Sequence, residues 1–84
     1  MLDVETVVLD SVREIVPEQV EKIRPETALE ELPLDSLDML ELKMRLEEKL
    51  DIELDVDVFD GAPTLSSLAS NIVASLQRLS NAGH

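Results

Sequence analysis

In the stretch "ELPLDSLDMLEL", Glu31 to Leu42, Ser36 stands between Asp35 and Asp38 where an amphipathic helix should begin. A serine becomes a nucleophile when a base lies within hydrogen-bond reach and donors await the developing oxyanion. The chain holds one histidine, His84, its final residue, so no triad can be assembled around Ser36. Two roles remain for the hydroxyl: helix cap, or acceptor of a group that another enzyme attaches. Asp35 suits the N-cap position, with Asp38 as the acidic third residue favoured by the positive end of the helix dipole. Ser36 is then the first helical residue and points outward. A phosphodiester attached there would sit at a helix N-terminus, where free N–H groups and the dipole favour an anion.

The elements that must position this serine follow from periodicity. Val4, Val8, Val12 and Ile15 recur at helical spacing with Val7 beside them, and Pro17 stops the pattern, so a first helix is expected at about 3–16. Residues 17–34 hold Pro17, Pro25 and Pro33 and read as a long loop pinned by Val20, Ile23, Leu29 and Leu32, a length uncommon in a compact domain unless it has a task. A second helix should cover 36–50, a span free of Gly and Pro and rich in strong helix formers. From Asp51 to Val58 acids alternate with apolar residues, a strand pattern when taken alone. One strand without a partner is unstable, so a loop leading into a short helical turn at 56–60 is favoured. Gly61 and Pro63 break the chain. Thr64 caps a last helix at about 65–79, in which Leu65, Leu68, Ile72, Leu76 and Leu79 share a face; the tail 80–84 is expected to be flexible. The expected fold class is all-α, a small bundle of three main helices plus one short one.

Composition narrows the function classes. Eighty-four residues suit one small domain, 1–84. Apolar residues make up 44% of the chain, with one Phe and neither Trp nor Tyr, so the core is aliphatic. The absence of Cys removes disulfides, thiolate nucleophiles and Cys-based zinc sites. The acid-rich stretch from Asp51 fails the calcium-loop pattern, because its sixth position is Val56 instead of Gly and its twelfth is Ala62 instead of Glu; no metal site is expected. No apolar run approaches the roughly 20 residues of a membrane span, and the N-terminus lacks a basic signal region, so a soluble, cytoplasmic protein, expected to be monomeric, is the reading. Nineteen acids against seven bases give a net charge of −12. That charge opposes phosphate backbones and anionic membranes and steers basic protein surfaces toward the chain.

At about 100° per residue the second helix carries two apolar faces. Met39, Leu42, Leu46 and Leu50 form the larger set, assigned to the core. Leu37, Leu40 and Met44 fall on roughly the opposite side, bordered by Asp38, Glu41, Glu47 and Glu48. An apolar strip rimmed by acids has the anatomy of a protein-docking surface; the alternative is that the loop or the last helix covers it.

"LDSLDMLELKMRLEEKLDIEL" resembles the second-helix region of acyl carrier proteins, whose Asp-Ser-Leu serine receives a 4′-phosphopantetheine arm from coenzyme A. Asp35-Ser36-Leu37-Asp38 are followed at family-like spacing by Glu41-Leu42, Leu46-Glu47-Glu48 and Asp51. "FDGAPTLSSLA", Phe59 to Ala69, is similar to the passage leading into the last helix of polyketide and peptidyl carrier domains. The resemblance covers about Val4 to Leu79. It implies a non-catalytic carrier of acyl or aminoacyl thioesters, with Ser36 as attachment site and Asp35 and Leu37 recognised by a phosphopantetheinyl transferase. Asp38, Leu40, Glu41, Met44, Glu47 and Glu48 match positions, Leu37 among them, that dock on basic surfaces of an acyltransferase, ketosynthase or ligase. The arm's thiol would give a Cys-free chain its thioester chemistry.

The chain departs from the family pattern at Pro33, where many carriers have Gly two residues before the Asp. Pro fixes φ and drives Leu32 toward an extended conformation, so the entry to the helix is expected to differ. The Gly-Gly pair common before the serine in peptidyl carriers is also missing. "PLDSL" with a later "APT" looks most like a freestanding carrier of a polyketide or mixed natural-product pathway, with fatty-acid service the competing assignment. A different class of reading is an acidic helical adaptor that binds a basic protein with Ser36 only as part of a cap. A self-activated hydrolase is the third.

Overall fold

The computed structural model describes residues 3–55, 58, 59 and 61–82. The first helix, α1, runs over Val4–Ile15. Asp3 starts it, its carboxylate accepting from Glu5 N at 3.2 Å and from Thr6 Oγ1 at 3.1 Å, which satisfies a donor that no preceding turn can reach. Val7, Val8, Leu9 and Val12 are buried, while Val4 and Ile15 pack half-buried at the edge of the core. Pro17 then closes the helix, as its missing N–H requires.

The expected long loop contains two 3-10 helices, Pro17–Lys22 and Leu29–Glu31. Pro17 stands at the start of the first, where its lack of a donor costs nothing. Such short pieces leave no 3.6-residue periodicity, which is why the sequence reads as loop there. Ile23 and Leu32 are buried and Leu29 half-buried, as pinning residues should be, but Val20 is 46% exposed and anchors nothing. Polar contacts pin the loop instead. Arg13 Nη2 donates to the Ile23 carbonyl at 3.1 Å, and Thr27 Oγ1 accepts from Arg24 N at 2.9 Å while donating to the Lys22 carbonyl.

The loop also serves the last helix. Among the described residues α2 is Ser36–Leu50 and α3 is Leu65–Ala82, three residues longer than its apolar pattern indicates. The α3 amides of Leu65 and Ser66, orphaned by their position, donate to the Thr27 and Pro25 carbonyls at 3.0 and 2.8 Å, and Thr64 Oγ1 caps Ser67 N at 3.1 Å. An isolated antiparallel bridge between Ala28 and Thr64 completes this clasp.

α1 packs on both α2 and α3. Leu42 and Leu46 of α2, and Leu65, Leu68, Ala69 and Ile72 of α3, are buried in one core with the α1 residues. Leu54, Val58 and Ala62 from the α2–α3 connection join it, so Leu54 and Val58 of the alternating stretch turn inward without forming a strand among the described residues. Of the short helix expected at 56–60, Val56, Asp57 and Asp60 lie outside the described residues. Val58 is held by Asn71 Nδ2, which donates to its carbonyl at 2.9 Å. Of the expected tail, Ser80 to Ala82 belong to α3, while Gly83 and His84 lie outside the described residues.

Candidate functional site

Ser36 is the first residue of α2 and is exposed. Two reciprocal bonds hold the backbone around it: Asp38 N donates to Asp35 Oδ1 at 2.8 Å, and Asp35 N donates to Asp38 Oδ2 at 3.3 Å. This capping box engages the residues on either side and leaves the Ser36 hydroxyl out of both bonds. The Ser36 and Leu37 amides lie in the first turn, where the helix offers them no carbonyl. Upstream, Leu32 is extended at φ −91° and ψ 145°, the conformation its Pro33 neighbour demands, and Leu34 N turns back to the Leu32 carbonyl at 2.8 Å. The chain therefore reaches the serine through a constrained, proline-set entry.

The two faces of α2 separate as the helical wheel requires. Leu42 and Leu46 are fully buried, and Met39 and Leu50 half-buried, whereas Leu37, Leu40 and Met44 are 75%, 51% and 58% exposed. Neither the loop nor α3 covers that strip. Leu37, Leu40 and Met44 line a shallow groove with Glu41, Arg45 and Glu48.

The four acids at the rim are not equivalent. Asp38 is committed to the capping box, and Glu41 Oε1 accepts from Arg45 Nη2 at 3.0 Å. Glu48 is exposed and has no ion-pair partner among the described residues. Glu47 faces elsewhere: its Oε2 accepts from Leu54 N at 2.9 Å and from Lys43 Nζ at 3.2 Å. Those bonds, the backbone one first, hold its carboxyl below the usual range. Glu47 thus lines a separate recess with Lys43, Ile52, Leu54 and Ser75, away from the Leu37–Leu40–Met44 strip.

Arg45 is the groove residue that the sequence reading passed over. It bridges Glu41 to Glu14 of α1, donating to Glu14 Oε1 from Nη1 at 2.8 Å. Lys49 Nζ takes the other Glu14 oxygen at 2.6 Å. The hydrogen bond from Lys49, supported by the one from Arg45, lowers the Glu14 pKa; Glu41 and Glu14 together raise that of Arg45. The i,i+4 spacing of Glu41 and Arg45 was a readable signal; the crossing to Glu14 required the packing of α1 on α2.

A comparison with known protein families matches residues 6–72 to the phosphopantetheine attachment site family, from the first turn of α1 through Ile72 of α3. The chain belongs to that family. The match takes in the capped serine, the exposed strip and the connection between α2 and α3. Domains of the phosphopantetheine attachment site family bear 4′-phosphopantetheine covalently, and the site fits such a group: an exposed hydroxyl, unused by the cap, opens a helix whose first-turn amides and dipole favour an attached phosphate. No solved structure matches the chain.

Proposed function

We propose that Ser36 is the attachment residue and that the chain carries acyl or aminoacyl groups between enzymes of a polyketide or mixed natural-product pathway. The observation that carries this reading is the free, exposed Ser36 hydroxyl on a rigidly capped helix start, adjoining an uncovered apolar strip, inside the region the family match spans. The arm, when bound, supplies the thiol on which cargo is held as a thioester.

The chain's own part is presentation. The capping-box carboxylates of Asp35 and Asp38 are engaged by backbone amides and not by the Ser36 hydroxyl, so a phosphopantetheinyl transferase must take the proton from Oγ as that oxygen attacks the pantetheine-side phosphorus of coenzyme A, breaking the pyrophosphate P–O bond and releasing adenosine 3′,5′-bisphosphate. Asp35 and Leu37 flank the reacting oxygen and give the transferase an acid and an apolar side chain to read. Leu37, Leu40 and Met44 then supply apolar contact to an acyltransferase, ketosynthase or ligase, and Glu48 supplies orientation toward basic partner groups. The "APT" passage, the "PLDSL" entry and the Pro33-set approach support a natural-product carrier over a fatty-acid one.

Intact mass after incubation with coenzyme A and a broad-specificity phosphopantetheinyl transferase tests the reading on wild type and Ser36→Ala. One phosphopantetheine added to wild type alone is the expected result. A folded wild type that stays unmodified overturns it and leaves the acidic adaptor.

A further inference from the structure

Arg45 gives the docking strip a positive charge where the acid-rimmed pattern calls for none. Its guanidinium lies in the same groove as Leu37, Leu40 and Met44, within hydrogen-bond distance of Glu41 on one side and Glu14 on the other. A basic partner group that approaches Glu41 therefore meets a carboxylate already paired. It must share that carboxylate with Arg45, whose positive charge opposes its own.

We infer that Arg45 is a specificity-determining residue that masks Glu41 from basic partners, so that the strip presents Glu48 as its working acid. This rests on the carrier reading of Ser36. The physical argument is one of differences between affinities. A basic group placed over Glu41 is repelled by Arg45, whereas one placed over Glu48 meets an acid with no ion-pair partner among the described residues. The mask is held from outside the strip. Glu14 belongs to α1, takes Arg45 at 2.8 Å and is itself engaged by Lys49, so the guanidinium is anchored on two helices and does not swing away with a single rotamer change. Lysine could not reproduce this, because one ammonium lacks the planar fork that spans two carboxylates.

A double-mutant cycle on modification by coenzyme A and the broad-specificity transferase, with kcat and KM separated, tests the mask. In the Arg45 background Glu41→Gln should change KM by less than about twofold; in Arg45→Gln the same substitution should raise KM by roughly fivefold with kcat unchanged, the scale of one exposed charge contact. Glu14→Gln, which frees Arg45 from α1 and leaves it on Glu41 alone, should loosen the mask and give Glu41→Gln a cost between those two. Arg45→Gln alone should lower KM for a transferase whose docking patch is wholly basic. Equal cost of Glu41→Gln in both backgrounds overturns the mask, as does an effect confined to kcat. Failure of the wild type to be modified at all is a different outcome, and it overturns the carrier reading itself.

Discussion

Glu47 and Glu48 are neighbours of like charge, yet one turns into the structure and the other away from it. Glu47 accepts from Leu54 N and Lys43 Nζ; Glu48 has no ion-pair partner among the described residues. Reversing Glu48 to Lys should slow modification by the transferase with little change in thermal midpoint, because exposed charges contribute little to folding. Glu47→Lys should do the opposite, lowering the midpoint by leaving Leu54 N unpaired and setting two ammonium groups side by side. Equal losses in both assays for Glu48→Lys would remove it from the docking face. The same geometry sets an acid limb. The folded pKa values of Glu47 and Glu14 lie below the ordinary 4.5, so the unfolded chain binds protons first as pH falls. The stability these groups add is complete above 4.5 and is lost as pH drops through the lower folded values. Denaturant unfolding from pH 6 to 3 should show a shallower acid loss for Glu47→Gln than for wild type, although the variant is less stable at pH 6; parallel curves would mean that the carboxylate adds nothing.

At the scale of elements, α2 makes the clearest forecast, since its two apolar faces meet opposite fates. Leu46 is fully buried and Leu40 about half exposed, so Leu46→Ala should destabilise by roughly 2–5 kcal/mol and Leu40→Ala by less than about 0.5 kcal/mol in urea unfolding. Comparable losses would show that the strip is covered in solution. The bounds of α2, its Asp35 cap and the choice of face were legible because caps and periodicity are local signals. The 17–34 segment was legible as punctuation by prolines and as the anchors Ile23, Leu29 and Leu32, but not in its local structure. Its 3-10 helices are too short to carry a period, and its fixing bonds reach across the fold, from Arg13 to Ile23 and from Leu65 and Ser66 to Thr27 and Pro25. Val20 fits the apolar pattern but has no surface to bury against. Glu47 shows the same limit at the site: its position on the wheel suggested the rim, and the Leu54 amide that captures it belongs to a connection whose course periodicity does not fix. Thr64, by contrast, announced itself, and Thr64→Ala should cost about 1 kcal/mol through the lost bond to Ser67 N.

Over the whole molecule two electrostatic effects oppose each other. A net charge of −12 spread over a small surface repels itself and weakens the compact state, while the pairs of Glu14 with Arg45 and Lys49 tie α1 to α2, and Glu41 holds Arg45 within α2. Both are screened by salt, and their ranges differ. The pairs are short contacts whose partners are all partly exposed, so each adds little to folding. Repulsion sums over many longer separations, which fall inside a Debye length of about 30 Å at 0.01 M and outside one of about 8 Å at 0.15 M. With 19 acids and 7 bases, at least 12 acids have no base to pair with one to one, so repulsion is the larger sum. Raising salt from 10 to 150 mM at pH 7 should therefore raise the thermal midpoint, by about 5 °C for a net gain near 1 kcal/mol in a domain of this size. Arg45→Gln, which removes two pairs and makes the chain one charge more negative, should start lower and gain more. A midpoint that falls with salt in the wild type would mean that the inter-helix pairs outweigh the field of the whole chain.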